Sequence, residues 1–255
     1  MIVRTEGVIL KSMDFRESSR ILTVYTRDFG KQSLLAKGVR GPKSRLAAAT
    51  GPLNYVGLVF YRKEQRELQL LSQCDLVRPW RSLTDSLEAM AAAMAICELL
   101  NLVVQGEEEH RALFDLLVRS LDAVNGATNN GVNAFYLFEV RLLDLLGFRP
   151  ELRLCARCGR DLEGDEGEAM AFDLHHGSVA CSVCLAGGHG GERLSRGALN
   201  VLRRFQEISD IGAACRITLS PQLRSELGRI LERYLRSHVD GLRSLKSEKV
   251  FSALL

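Results

Sequence analysis

The chain has 255 residues, 46% of them apolar and 25% charged, with a formal net charge of +3 and seven cysteines. These are the proportions of an ordinary soluble globular protein, and they leave room for one large domain or two to three small ones. Arg4, Glu6, Lys11 and Asp14 interrupt the start, so no signal peptide is expected.

The charge is unevenly spread. Residues 1–80 hold 14 Lys and Arg against 7 Asp and Glu, residues 81–150 hold 5 against 10, and residues 151–255 hold 15 against 14. Positive charge concentrated in the first third is what an anionic partner requires. The apolar run 89–97 in the helical region is far shorter than the ~20 residues that span a bilayer. Cysteines without an export signal point to a reducing compartment, the cytoplasm, rather than to a disulfide framework.

Residues 1–80 are expected to form strands. Segments 4–11, 20–25, 32–37, 55–61 and 68–75 are short runs rich in Val, Ile, Leu and Tyr, parted by turn residues such as Asp28-Phe29-Gly30 and Gly51-Pro52. Five short strands suit a small closed barrel, and the OB-fold is the five-stranded barrel that takes single-stranded nucleic acid on one face. Phe15, Tyr25, Phe29, Tyr55, Phe60 and Tyr61 are candidate stacking platforms, with core packing as the alternative for each. The stretch 30–46, GKQSLLAKGVRGPKSRL, carries Lys31, Lys37, Arg40, Lys43 and Arg45 and no acid. Cations on a strand end and a glycine-punctuated loop suit a phosphate backbone; a solvated loop that only keeps the protein soluble is the other reading.

After Pro79 and Trp80 the periodicity becomes helical. Ser82 with Asp85 resembles a cap, and Leu83, Leu87, Met90, Met94, Cys97 and Leu100 recur at helical spacing. A second helix is expected over 107–124, opened by three glutamates at its positive end. A third is expected over 132–146, closed by Gly147 and Pro150. Together they make a helical bundle over 81–150.

Residues 151–193 are glycine-rich and hold Cys155-x-x-Cys158 and Cys181-x-x-Cys184. Each pair brings two thiolates to one ion, and two pairs give the soft tetrahedral set that suits Zn²⁺. Four protein ligands leave no open position, so this reading makes the ion structural. Asp173, His175, His176 and His189 are possible substitutes for one cysteine. A redox pair would need a Cys-x-x-Cys at a helix start within a βαβ unit, a setting these pairs lack. Helices over 195–208 and 221–238 follow, and Arg224, Arg229, Arg233, Arg236, Arg243, Lys246 and Lys249 read as a solvated face or a weak second anion contact. No nucleophile elbow, paired-histidine zinc motif or dinucleotide fingerprint is present, so the chain is not expected to be an enzyme.

The order of parts makes an α+β multidomain chain: a basic OB-fold barrel over 1–80, a helical bundle over 81–150, a four-cysteine zinc module over 151–193, and C-terminal helices over 194–255 packing on the helical domain. It resembles the bacterial recombination mediator family RecO. The likeness is carried by GVILKSMDFRESSRILTVYTRDFGK, LAKGVRGPKSRL, FEVRLLDLLGFRPELRLCARCGR, CSVC and HVDGLRSLKSEKVF. The resemblance implies DNA repair and homologous recombination in the RecF pathway. It implies binding to single- and double-stranded DNA, annealing of complementary strands, and action with RecR to load RecA where single-stranded-DNA-binding protein coats the strand. It places the acidic, apolar C-terminal tail of that protein on the helical domain, where Arg141 near Phe138 and Leu142 is one candidate contact. It implies a DNA face of Lys37, Arg40, Lys43 and Arg45, joined by Arg16 and Arg20. It also implies a cytoplasmic, nucleoid-associated location and no membrane. A zinc-ribbon regulator that reads a specific duplex is the alternative.

Overall fold

Five strands open the chain: β1 (Ile2–Phe15), β2 (Ser19–Thr26), β3 (Gly30–Ala36), β4 (Tyr55–Tyr61) and β5 (Leu68–Arg78). This is a computed structural model, and it describes residues 1–41, 44, 46–163, 169–186, 191–242 and 245. The strands close into a barrel in the order β1-β2-β3-β5-β4, with β3 and β5 parallel and the other neighbours antiparallel. The expected OB-type barrel is therefore present. Alternation builds it: Val3, Leu22, Val24, Leu34, Val56, Leu58, Phe60 and Leu71 turn inward and pack as one core. β1 pairs with β4 over its first half and with β2 over its second, with a bulge between Ile9 and Lys11. Followed pair by pair from Ile2 through Tyr61, Leu70, Leu35 and Ile21, the circuit returns to β1 at Met13. That stagger is what tilts strands in a closed barrel.

The chain divides into two compact units, Met1–Gly126 and Ala127–Leu255. In the first, the barrel is followed by a 3₁₀ turn (Arg81–Thr84) and by helices α1 (Leu87–Val103) and α2 (Arg111–Gly126). The cap of α1 is Ser86, whose side chain accepts from the Ala89 N–H, rather than Ser82. The expected apolar face of α1 is buried in part, at Cys97 and Leu100. Leu87 and Met94 are 62% and 49% exposed, while Ala89, Ala92, Ala93 and Ile96 are buried. A helix apolar on nearly every side carries little periodicity, and small alanine side chains let neighbouring elements approach closely.

α2 starts four residues later than the glutamates suggested. Glu107, Glu108 and Glu109 remain in the connecting loop, which lies against the β2–β3 turn. Gly30 has φ +58°, and a Cβ there would stand 2.4 Å from the Glu108 carbonyl oxygen. Lys31 points into the same contact. Its Nζ donates to the carbonyls of Asn101, at 2.9 Å, and Val104. These carbonyls lie at the negative end of α1, where the last turn lacks partners. Burial also pushes the Lys31 ammonium below its usual range. One cation of the basic stretch is thus a helix clamp and not part of a DNA face. Lys31→Met is expected to cost about 1–2 kcal/mol, read as a lower urea midpoint with an unchanged slope.

The second unit contains α3 (Val132–Leu145), α5 (Arg196–Glu207), α6 (Ile211–Ala214) and α7 (Pro221–His238). It also contains strands β6 (Glu151–Cys155), β7 (Ala169–Asp173), β8 (Ser178–Ala180) and β9 (Glu192–Ser195), and the short helix α4 (Ser182–Ala186). The strands form a sheet in the order β6-β8-β7-β9. α3 is buried on nearly all sides, and Asn133 ties it to α6 by donating to the carbonyls of Ala214 at 3.1 Å and Ile217 at 2.7 Å. Segment 81–150, read as one bundle from sequence, is therefore shared, with α1 and α2 in the first unit and α3 in the second. The four-stranded sheet was not foreseen, because its strands are three to five residues long and lie among glycines. Among the described residues no helix is long and apolar enough to cross a membrane.

Candidate nucleic-acid interface and metal centre

At one end of the barrel three strands present a row of paired residues: Asp14 on β1 faces Arg20 on β2, which faces Ala36 on β3. The next residue of the chain after Ala36 is Lys37, which is exposed. Arg20 Nε donates to Asp14 Oδ1 at 3.2 Å, and its Nη1 reaches Thr50 Oγ1 at 3.2 Å. Arg40 Nε lies 3.4 Å from Asp14 Oδ2. The same loop is laced to the β1–β2 turn: the Arg40 N–H donates to the Ser18 carbonyl at 2.9 Å and its Nη1 to the Arg16 carbonyl at 3.2 Å. Arg16 lies at the turn with φ +52°, its guanidinium 5.2 Å from the Phe15 ring centre.

The fold thus gathers Arg16, Arg20 and Arg40, with Lys37 on the adjoining strand end. Lys43 and Arg45 lie outside the described residues. Asp14 was not singled out in the sequence, yet it organises the cluster; the signal was its position opposite Arg20 across a hairpin. Ion pairs this exposed contribute only about 0–1 kcal/mol each, so a phosphate can compete for the same arginines.

The aromatic platforms are fewer than expected. Tyr25, Tyr55 and Phe60 are buried, and Phe29 packs edge-on against Phe60 at 5.9 Å. Tyr25 and Tyr55 face outward from the barrel but are covered by Phe114 of α2, at 6.4 and 6.2 Å. Phe15 and Tyr61 remain accessible.

The four cysteines of the second unit converge, with all four Sγ atoms within 4.8 Å of one another. Cys155 ends β6, and parallel pairing with Val179 of β8 sets it beside Cys181, which follows that strand. Cys158 is brought back by a tight turn in which the Gly159 N–H donates to the Cys155 carbonyl at 2.9 Å, with Gly159 at φ +69°. Cys184 lies in α4. Tetrahedral coordination at a metal–sulfur distance of about 2.3 Å separates the sulfurs by roughly 3.8 Å. Cys158 Sγ and Cys181 Sγ are 3.8 Å apart. The donor set therefore fits one zinc ion. Burial opposes ionisation of Cys155, but N–H groups of Cys181, Cys158 and Arg157 outweigh it and hold that thiol down at about 6. Metal-ligating cysteine needs that direction.

Other candidates are used for packing. Arg141 donates to the Ile208 carbonyl, 67 residues on. Arg229 and Arg233 both pair with Glu192 of β9, and Arg236 pairs with Glu232. His176 is held by Asp173 at 2.9 Å and is not among the four clustered ligand residues. His189, Arg243, Lys246 and Lys249 lie outside the described residues.

Two family models match this chain: Recombination protein O N terminal over residues 1–80, and Recombination protein O C terminal over residues 84–249. The chain belongs to the RecO family. Curated relatives agree over its whole length. It is 29% identical to a DNA repair protein RecO of Chloroherpeton thalassium, with all of both chains covered. It is 32% identical to one of Symbiobacterium thermophilum, covering 99% of this chain and 98% of that one, and 32% to one of Salinibacter ruber, covering 99% and 94%. On the RecO pattern, the N-terminal match contains the barrel and the arginine cluster, and the C-terminal match contains α1, α2 and the whole cysteine centre.

Proposed function

We propose that this RecO-family protein is a DNA strand-annealing mediator of repair and homologous recombination in the RecF pathway. The observation that carries the proposal is the pairing of Arg20 and Arg40 with Asp14, with Arg16 held to Arg40 through its carbonyl and Lys37 beside them, on one end of a closed five-stranded barrel. A phosphate backbone requires several cations spaced along one surface, and this is such a surface. Lys43 and Arg45 join the set by sequence alone. Annealing requires neutralisation so that two strands can approach, and the protein makes or breaks no bond; it acts as no enzyme. Residues 1–80 serve DNA, residues 81–150 and 194–255 serve partners, and the 151–193 module is held by Zn²⁺ on Cys155, Cys158, Cys181 and Cys184. RecR and the C-terminal tail of single-stranded-DNA-binding protein are the proposed partners, in the cytoplasm at the nucleoid. The engagement of the Arg141 guanidinium with Ile208 makes it a poor choice for the tail.

Affinity for single strands should fall with salt, with a log–log slope of about −0.7 for each neutralised phosphate. Replacing Arg16, Lys37 and Arg40 together by Ala should flatten that slope by about 2 and leave the unfolding midpoint unchanged. An unchanged slope rules this surface out. Scrambled duplexes should compete equally, which a sequence-reading regulator would not allow.

A further inference from the structure

The four thiols of the second unit are unequally open to solvent. Cys155 and Cys181 are buried, at 2% and 0% exposure, Cys184 is half-buried and Cys158 is exposed. An oxidant dissolved in water therefore meets Cys158 first. The Cys158 sulfur lies 3.8 Å from that of Cys181, which belongs to the other Cys-x-x-Cys pair. The remaining cysteines are shielded. Cys74, Cys97 and Cys215 are buried, and burial pushes the first two thiols up to about 12, so those two stay protonated. Peroxides react with thiolates that solvent can reach, and a thiol that ligates a metal is already deprotonated. The segment that depends most on this set is α4. None of its five residues is buried, and so short a helix does not stand alone, so its place rests on the Cys184 thiol. The barrel belongs to the other compact unit and holds none of the four thiols.

We infer that the four-thiol centre is a peroxide-sensitive switch, in which Cys158 and Cys181 join as a disulfide, the metal leaves and α4 comes free while the barrel is untouched. The Cys158 thiolate attacks one oxygen of hydrogen peroxide. An S–O bond forms, the O–O bond breaks, and the departing hydroxide takes up a proton as water. The Cys181 thiolate then attacks the sulfenic acid so formed. An S–S bond forms, the S–O bond breaks, and a second hydroxide leaves as water. Two thiolates give up two electrons, the peroxide accepts them, and two protons are consumed. Cys155 and Cys184 are then the only thiols left to a structural site that needs four ligands. The new disulfide still ties the turn after β6 to the end of β8, so the strands stay together and α4 is the segment released. A thiol reductant reverses the disulfide, and the centre can refill.

The test exposes zinc-loaded full-length protein to hydrogen peroxide. Zinc is followed with a chromogenic chelator, disulfides by peptide mass mapping, local order by amide exchange, and the barrel by affinity for oligo-dT. The expected result is one zinc released per chain, a linked Cys158–Cys181 peptide pair and fast exchange in α4. Protection in β6 and β8 and affinity for oligo-dT should not change, and dithiothreitol with zinc should restore the starting state. Cys158→His keeps four metal ligands without the exposed thiol, and should release zinc about tenfold more slowly. Where that variant takes up no zinc, the parent's peptide map decides alone. Zinc retained while Met94, 49% exposed, is oxidised in the same sample overturns the inference. So does a parent that takes up no zinc, a disulfide that lacks Cys158, an α4 still protected after release, or an oligo-dT affinity that falls as zinc leaves. A parent that never binds oligo-dT fails the DNA reading above and leaves the zinc, mapping and exchange results standing.

Discussion

Cys155→Ser is expected to empty the metal centre and unfold the sheet built around it, the largest single effect available in this chain. The bound zinc should drop from one per chain to none, and amide protection in β6 and β8 should be lost. Structural zinc sites supply roughly 10–16 kcal/mol of apparent binding energy in isolated fingers, which is comparable with the entire stability of a domain. The strands around this site are three to five residues long, and their buried side chains such as Leu152, Phe172 and Val179 pack only once the two cysteine-bearing strands are held together. Cys155 is the thiol expected to matter most. It is buried, it receives the Cys181 N–H at 3.3 Å, and its strand pairs directly with the one that delivers Cys181. A strong chelator added to the parent protein should reproduce the effect. Cys74→Ser serves as the control, since Cys74 sits in the barrel core and should leave the metal content alone. Zinc retained by Cys155→Ser, with protection intact, would exclude the four thiols as a ligand set.

Trp80→Ala should cost about 3–5 kcal/mol, the range for removing a large buried aromatic, and Trp80→Phe only about 1–2. Trp80 ends the barrel sequence and anchors it to α2. Its ring stacks on Tyr55 at 5.9 Å with 16° between planes, and its Nε1 donates to Asp122 Oδ1 at 2.7 Å. The other oxygen of Asp122 takes Arg78 at 2.5 Å, and the Arg78 guanidinium lies 5.6 Å from the Tyr55 ring centre. Phenylalanine keeps much of the stack and loses the hydrogen bond; alanine loses both and leaves a cavity. Burial, then the Glu6 hydrogen bond, pushes the Tyr55 phenol up to about 12, so this contact stays neutral under ordinary conditions. Urea midpoints followed by circular dichroism give the order of the two variants. Equal costs would place the weight on the hydrogen bond rather than on packing.

Local chemistry decided much of this protein without help from the fold. Alternating residues with turn signals between them mark five strands, though not the length of β1 or β5, and two Cys-x-x-Cys pairs mark four thiols able to share one ion. The tertiary structure decided which of the like-looking residues are available. Lys31 lies at the start of β3 and Lys37 just past its end, but α1 ends beside the first and nothing in the chain's local pattern says so. Tyr25, Tyr55 and Tyr61 are alike as sequence; Phe114, distant in the chain, covers the first two and spares the third. The face of α1 was legible only in part, at Cys97 and Leu100 but not at Leu87 and Met94, since an almost wholly apolar helix has a weak period and its neighbours choose the buried side. Periodicity and spacing report what a segment can do on its own. Which surfaces remain open is set by contacts between residues far apart in the chain, and those exist only once the barrel has closed.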